Sequence, residues 1–285
     1  MTSRTVVDDL GEPVTLRGEP QRIVSLVPNL SETLWWWRLA GCVVALTDYC
    51  VAPPRAFPAA ARIRGTKNPD VRAIVDLAPD LVVANEEENR ELDVRRLREA
   101  GVAVYVTRVR GVLDAARTFV GLGEAVGQPA AGIELAAALR RAVTSVPVDQ
   151  PRVDAICPIW RDGAEKGDDE TWWVVGRDTF AADLLATAGF DVRTADDRSA
   201  ETPVRYPRAH LSALADLDPD AVLLPDEPYA FQAEDVEVFA TWRAAVRALD
   251  GTALTWWGPR TPTALGDLHR LRRQLTRPRR LPTRQ

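Results

Sequence analysis

The residues best suited to hold a ligand in this chain sit where short apolar runs give way to polar loops. Asn85 and Glu86 follow the run Leu81-Val82-Val83-Ala84, and Asp226 and Glu227 follow Ala221-Val222-Leu223-Leu224. Such carboxylates can ligate a hard cation or accept hydrogen bonds from amide groups, or they can cap the helices that follow. Capping is favoured for Glu88, and a ligand role for Asn85 and Glu86. Trp160 comes after Cys157-Pro158 and Trp257 after Leu254-Thr255. An indole there either covers a broad apolar ligand face at small entropic cost or packs in a core. Lys67 is one of two lysines in an arginine-rich chain and can meet a carboxylate, phosphate or amide oxygen as a point charge, or simply be solvated. It shares a long loop region with Tyr49, Cys50 and Asn68, whose polar groups can line a ligand rim. The Cys50 thiol is either a metal-directed thiolate or a small buried hydrophobe.

Other chemistries lack their residues. His210 and His269 are the only histidines and have no metal-ligand spacing, so any metal is expected inside an organic chelate. There is no Walker loop, no Gly-x-Ser-x-Gly elbow and no supported Ser/His/Asp set, which argues against an enzyme. Cys42, Cys50 and Cys157 are too few and scattered for a disulfide framework and read as free thiols.

The elements that must position these groups alternate in type. A hairpin is expected over 5–7 and 14–16. A strand over 23–27 ends at Pro28, and Asn29 with Glu32 has the form of a capping box opening a helix to about residue 40. Strands over 43–46, 81–84 and 102–106 are separated by a long loop over 47–69 and helices over 70–78 and 90–100. Helices over 111–126 and 129–146 follow without a Gly/Ser linker. Then come a strand over 153–157, a helix over 178–188, a strand over 221–224, a helix over 235–249, a strand over 253–255 and a final helix from Pro262. This order predicts an α/β fold with parallel sheets. Leu77-Ala78-Pro79-Asp80 and its apolar strand are answered by Leu217-Asp218-Pro219-Asp220 and its strand, and 22–28 by 152–158. Two similar lobes are therefore expected, with ligand loops after Pro28, Ala84, Pro158 and Leu224 facing a common cleft. The expected division is an N-terminal lobe over 1–110, connecting helices over 111–150 and a C-terminal lobe over 151–285.

The 285 residues, 46% hydrophobic, suffice for two cores, and no run approaches the roughly 18 apolar residues of a membrane span. The first nine residues lack an apolar signal region, which predicts a cytoplasmic product as written. The net charge of −5 hides an arginine-rich C-terminal tail, read as a solvated terminus ahead of a nucleic-acid contact. Trp35, Trp36 and Trp37 span about 200° of a helix and cannot all face one core.

The segments Arg22-Ile23-Val24-Ser25-Leu26-Val27-Pro28-Asn29-Leu30-Ser31-Glu32-Thr33, Gly65-Thr66-Lys67-Asn68-Pro69-Asp70-Val71, 77–89 and Val174-Val175-Gly176-Arg177-Asp178-Thr179-Phe180 resemble the helical-backbone substrate-binding proteins. That group captures vitamin B12, haem and ferric siderophores for ABC importers, and the resemblance covers nearly the whole chain, nearest to its cobalamin-type branch. It implies two α/β lobes joined by one long backbone helix, a cleft that closes little, and a monomer that binds a small molecule without a required cofactor. The ligand implied is a corrinoid such as cobalamin, then haem or a ferric siderophore, with an ABC permease as partner. Tyr206 falls where an aromatic meets the ligand. Glu91 matches one of two carboxylates that dock on transporter arginines, whereas Ser212 stands at the second place and Ala52 where a related loop often has histidine. A cytoplasmic sensor, carrier or storage protein, or an enzyme acting on a cofactor in the cleft, are the alternatives.

Overall fold

The computed structural model describes residues 3–50, 53, 55–162, 170–195 and 204–276. The chain forms two units. One holds residues up to Val109, Leu113–Arg140 and Trp257–Pro259, and the other holds Arg110–Val112, Arg141–Trp256 and Arg260 onward. Ala52 and the arginine tail from residue 277 lie outside the described residues.

The first unit begins with the antiparallel hairpin β1 (Ser3–Val7) and β2 (Pro13–Arg17). Its main sheet comprises β3 (Ile23–Ser25), β4 (Val43–Leu46), β5 (Ala61–Arg62), β6 (Leu81–Asn85) and β7 (Val104–Thr107), in the spatial order β5-β4-β3-β6-β7 and parallel throughout. In the second unit β8 (Val153–Ile156), β11 (Phe190–Val192), β13 (Ala221–Pro225) and β14 (Ala245–Leu249) form a second parallel sheet in the order β11-β8-β13-β14. A three-stranded antiparallel sheet is made of β9 (Pro158–Arg161), β10 (Thr171–Val174) and β12 (Arg208–His210), with β10 in the middle. Strands β4-β3-β6-β7 and β11-β8-β13-β14 thus follow one plan. The fold is α/β with parallel sheets, as the alternating pattern predicts.

The repeated Pro-Asp turns have the same task in both units. Asp80 Oδ2 accepts the backbone N–H groups of Gln21 and Arg22, each at 2.9 Å, while Asp80 N–H donates to Arg22 O at 2.8 Å. Asp220 Oδ2 accepts Asp154 N–H at 3.1 Å and its own N–H donates to Asp154 O at 2.8 Å. Each aspartate ties the start of the central strand, β6 or β13, to the first strand of its sheet. Every residue of β6 and β13 is buried, as a strand covered on both faces must be. Ala78 and Asp218, two residues before these aspartates, both take left-handed φ values, 44° and 41°. This matched local strain shows that the turn is one motif used twice.

Three local expectations are corrected. Helix α1 (Pro28–Trp36) starts with Pro28 directly behind Val27 and has no side-chain cap, so Asn29 lies inside it and the expected capping box is absent. Its end comes earlier than expected because Trp37 closes it and Arg38 adopts a φ of 62°. Where one long helix was expected over 235–249, the chain forms the short helix Ala233–Glu237 and then β14, which pairs with β13 along all five residues. The alanines of β14 favour helix, but a sheet position beside a buried strand outweighs that propensity. The expected strand over 253–255 is the helix Gly251–Thr255, opened by Asp250, whose carboxylate accepts Ala253 N–H at 3.0 Å.

In the first unit the helices Val112–Ala125 and Pro129–Thr144 approach at glycines. A Cβ on Gly132 would lie 2.3 Å from Phe119 O and 3.2 Å from Gly123 Cα. Backbone cannot yield as a side-chain tip can, so Gly132→Ala is expected to destabilise the protein by about 2 kcal/mol. Gly41→Ala, whose Cβ would meet nothing within 4 Å, should be near neutral. Urea midpoints of the two variants check this.

Candidate functional site

Two asparagines build the strand-end surface of the first unit. Asn85, the last residue of β6, accepts the N–H groups of Glu87 and Glu88 on its Oδ1 at 3.0 and 3.1 Å, and its amide reaches Thr107 Oγ1 at 3.2 Å. Asn89 accepts Asn85 N–H at 2.9 Å and donates to Thr66 O at 2.9 Å and Leu26 O at 3.4 Å. The loops after β3, around Thr66 and after β6 are thereby joined. Asn85, expected at the ligand, is buried with its amide engaged internally and serves as the organiser of this turn. Asn89 was not singled out from sequence, although its place four residues after Asn85 is the signal.

This scaffold presents a polar rim. Lys67 and Asn68 are exposed, and Lys67 Nζ donates to Glu87 O. The Tyr49 ring and Asn68 carboxamide close over Gly65, where an added Cβ would fall 3.1 Å from Tyr49 Cε2 and 2.6 Å from Asn68 Oδ1. Tyr49 is 63% exposed. Glu86 is exposed, while Glu88 is half-buried and its carboxyl is pushed above the usual range by burial, against the pull of Lys67. Tyr49, Lys67, Asn68 and Glu86 therefore share the loops at the carboxyl end of this sheet.

Other expected ligand residues of this unit lie inside it. Cys50 is buried with Sγ 3.1 Å from Thr47 Oγ1, and burial raises its thiol pKa although Ser31 and Thr47 oppose the rise. This fits the small buried hydrophobe, not a thiolate. Asn29 is buried and its amide donates to Trp257 O at 3.0 Å. Trp257 belongs to the first unit, 5% exposed and tilted against Phe119 at 6.2 Å between ring centroids. Its indole is committed to packing there. Pro28, half-buried, sets the start of α1.

The second unit carries an aromatic series. Trp160 of β9 and Trp173 of β10 are cross-strand partners, so both indoles stand on one sheet face, 46% and 37% exposed. Tyr229 meets Trp160 edge-on at 5.2 Å and Phe231 at 4.9 Å, Phe231 stacks on Trp172 at 5.9 Å, and Trp172 leans on Phe239 at 5.2 Å. The ring contacts run from an exposed indole into the core that holds Trp172, Val222 and Phe239. Tyr206, 36% exposed, is carried beside β10, because Val174 N–H donates to Pro207 O at 3.0 Å and Gly176 N–H to Arg205 O at 2.7 Å. Sequence places Trp173 at a strand end beside Trp172 but prefers Trp160 and Trp257; the register that sets Trp173 opposite Trp160, and the loop that brings Tyr229 against it, leave no local trace.

Charge holds this sheet in place. Arg161 bonds Glu170 at 2.7 Å and Asp235 at 2.8 Å and lies over Trp172, whose Nε1–H donates to Glu170 at 2.9 Å. Burial disfavours the charged form of Asp235, but Arg161, the Gln232 N–H and Tyr229 outweigh it and keep the carboxyl below the usual range.

At the end of β13, Glu227 is half-buried and accepts the Trp256 indole N–H. Burial raises its carboxyl above the usual range; Trp256 and Arg260 act against that, Asp226 and Asp250 with it. Asp226 accepts Gly251 N–H at 2.7 Å, and a Cβ at Gly251 would press within 2.5 Å of Glu227 N. Glu91 is exposed at the first turn of the helix Glu91–Glu99, and Ser212 is exposed in the helix Leu211–Ala215. Among the described residues no three His, Cys, Asp or Glu side chains converge to hold a metal ion, and no helix is long and apolar enough to cross a membrane.

A family model described as periplasmic binding protein matches residues 23–245. The chain belongs to the periplasmic binding protein family. A protein of Halobacterium salinarum named cobalamin-binding protein is 30% identical over 224 residues, which cover 77% of this chain and 58% of the relative. This chain therefore spans under two thirds of that relative's length. An uncharacterized ABC transporter substrate-binding lipoprotein of Bacillus subtilis is 24% identical over 273 residues, 93% of this chain and 83% of the relative. Among solved structures, the periplasmic vitamin B12 binding protein of Vibrio cholerae aligns with a TM-score of 0.75 at 20% identity, covering 91% of this chain and 99% of that one. A periplasmic heme-binding protein of Roseiflexus gives 0.74 at 22%, covering 91% and 100%. These structures share the fold of this family member.

Two outcomes follow. Burial pushes the Cys157 thiol up to about 12 and also raises that of Cys50, so Ellman's reagent at pH 8 should label neither in the native protein and both after denaturation, leaving half-buried Cys42 as the native reactant. The carboxyl of Asp235 is depressed, so its stabilisation is complete above its unfolded pKa of about 3.9 and is lost as pH falls through the lower folded value. Asp235→Asn should cost about 2 kcal/mol at pH 7 in urea melts, and the gap to wild type should narrow below about pH 4.

Proposed function

We propose that this periplasmic binding protein family member binds a corrinoid, of which cobalamin is the leading candidate, and releases it unchanged to an ABC permease. The observation that carries this is the exposed Trp160–Trp173 pair, backed by Tyr229, Phe231 and Trp172. A corrin face is broad and apolar, and indoles already fixed by packing lose little entropy when they cover it. The name of the 30%-identical Halobacterium relative supports the same ligand. Tyr206 and Glu227 in the second unit, and Tyr49, Lys67, Asn68 and Glu86 in the first, are the further proposed contacts, while Asn29, Cys50, Asn85 and Trp257 act in support of the loops. Binding without turnover accords with a family of binding proteins, and a bound metal chelate is cargo rather than a cofactor.

Glu91 is the proposed docking carboxylate for a permease. Ser212, which cannot supply the matching charge, carries a second reading, a binder that serves as sensor, carrier or store without an importer. The cytoplasmic expectation draws no support from relatives named as periplasmic proteins or a lipoprotein, and we place the protein outside the cytoplasmic membrane. Cell fractionation with an antibody tests this, and recovery in the cytosol would overturn it.

Calorimetric titration with cyanocobalamin, hemin and a ferric hydroxamate tests the ligand. Cyanocobalamin should bind, and Trp160→Ala or Trp173→Ala should each weaken it roughly ten-fold, about 1.4 kcal/mol. Trp36→Ala should leave affinity unchanged. Heat from hemin alone would replace the corrinoid by a porphyrin, and heat from none of the three would remove the chelate reading.

A further inference from the structure

Resting on the corrinoid reading, a finer selectivity is written at the end of β13. Glu227 is held by the Trp256 indole N–H on a loop that Asp226 fastens to Gly251, and Gly251 leaves no room for a side chain between them. Arg260 lies over the Trp256 ring, its Cζ 5.6 Å from the centroid, and bonds Thr252, whose hydroxyl also bonds Asp250 at 2.6 Å. At Glu227 two further carboxylates, Asp226 and Asp250, add negative charge and the Arg260 guanidinium opposes them. The rim is therefore negative, and Glu227, on the far side of its Trp256 bond, offers a hydrogen-bond acceptor and no donor when ionised. The first unit repeats the sign in the loop after β6, where Glu86, Glu87 and Glu88 are consecutive and Glu88 feels both Glu87 and Lys67.

We propose that Glu227 is a specificity-determining residue that accepts a hydrogen bond from a carboxamide N–H of the ligand and rejects carboxylates at the same place. A primary amide brings two N–H donors to that acceptor. A carboxylate brings only acceptors and a like charge, and a site built for a donor discriminates strongly against a group that lacks one. The ligand class this selects is the amide-bearing corrinoid, in preference to corrinoids or porphyrins that carry free carboxylates.

Calorimetry with dicyanocobinamide, whose ring bears amides, and dicyanocobyrinic acid, whose ring bears carboxylates, decides it. The wild type should favour the amide form by at least ten-fold. Glu227→Gln keeps the shape and an acceptor for Trp256 while adding donors, so it should tighten the carboxylate form and shrink the preference at least five-fold, with an unchanged melting temperature confirming the fold. Glu227→Ala, a second variant that removes the charge, should shrink the preference too. A wild-type preference below two-fold, or one that both variants leave intact, overturns the inference while the corrinoid reading stands. Failure of both corrinoids to bind the wild type removes that reading and this inference together.

Discussion

The structure depends on the burial of one strand in each unit on both of its faces. β6 and β13 expose no residue along their length, so all the polar chemistry of those segments is driven to their ends. At the entry, Asp80 and Asp220 hold the strand to its neighbour through backbone N–H groups. At the exit, the chain must satisfy its backbone in a loop, and the loops beyond β6 and β13 are where Glu86 and Glu227 emerge. The position of the candidate ligand groups follows from where an apolar strand stops.

The two units solve the exit differently. The first uses side-chain amides: Asn85 and Asn89 take up the backbone polar groups of three loops, which leaves Tyr49, Lys67 and Asn68 on a fixed base. The second adds an antiparallel sheet whose middle strand is anchored by Arg161 through Glu170 and Asp235, with Trp172 packed beneath the guanidinium. A half-buried cation shared by two carboxylates fixes geometry more than it adds stability. Here the fixed geometry is the pairing of Trp160 with Trp173, which keeps two large apolar rings exposed on a stiff surface.

Several residues chosen for their chemistry are buried and engaged with internal partners. Asn29, Cys50, Asn85 and Trp257 are all in polar-to-apolar transitions, where a ligand contact and a structural hydrogen bond look alike in a sequence. Burial separates them. Asn85 uses its amide on Thr107 and two backbone N–H groups, and Trp257 uses its ring on Phe119, so neither has a surface to offer.

The sequence by itself determined the α/β alternation, the buried strands, the duplicated Pro-Asp turn and the family, because these are written in local patterns of apolar residues and turn chemistry. It also located Tyr49, Lys67, Glu86, Tyr206 and Glu227 at loops, and Trp160 just past a buried strand, where they keep accessible surface. Only the tertiary structure decided that Ala245–Leu249 is a strand, since a sheet edge offers hydrogen bonds that no local alanine preference can reveal. It alone paired Trp160 with Trp173 and set Trp256 and Arg260 around Glu227. Strand register and the return of the chain after Trp256 bring together residues far apart in sequence, and neither leaves a periodic trace.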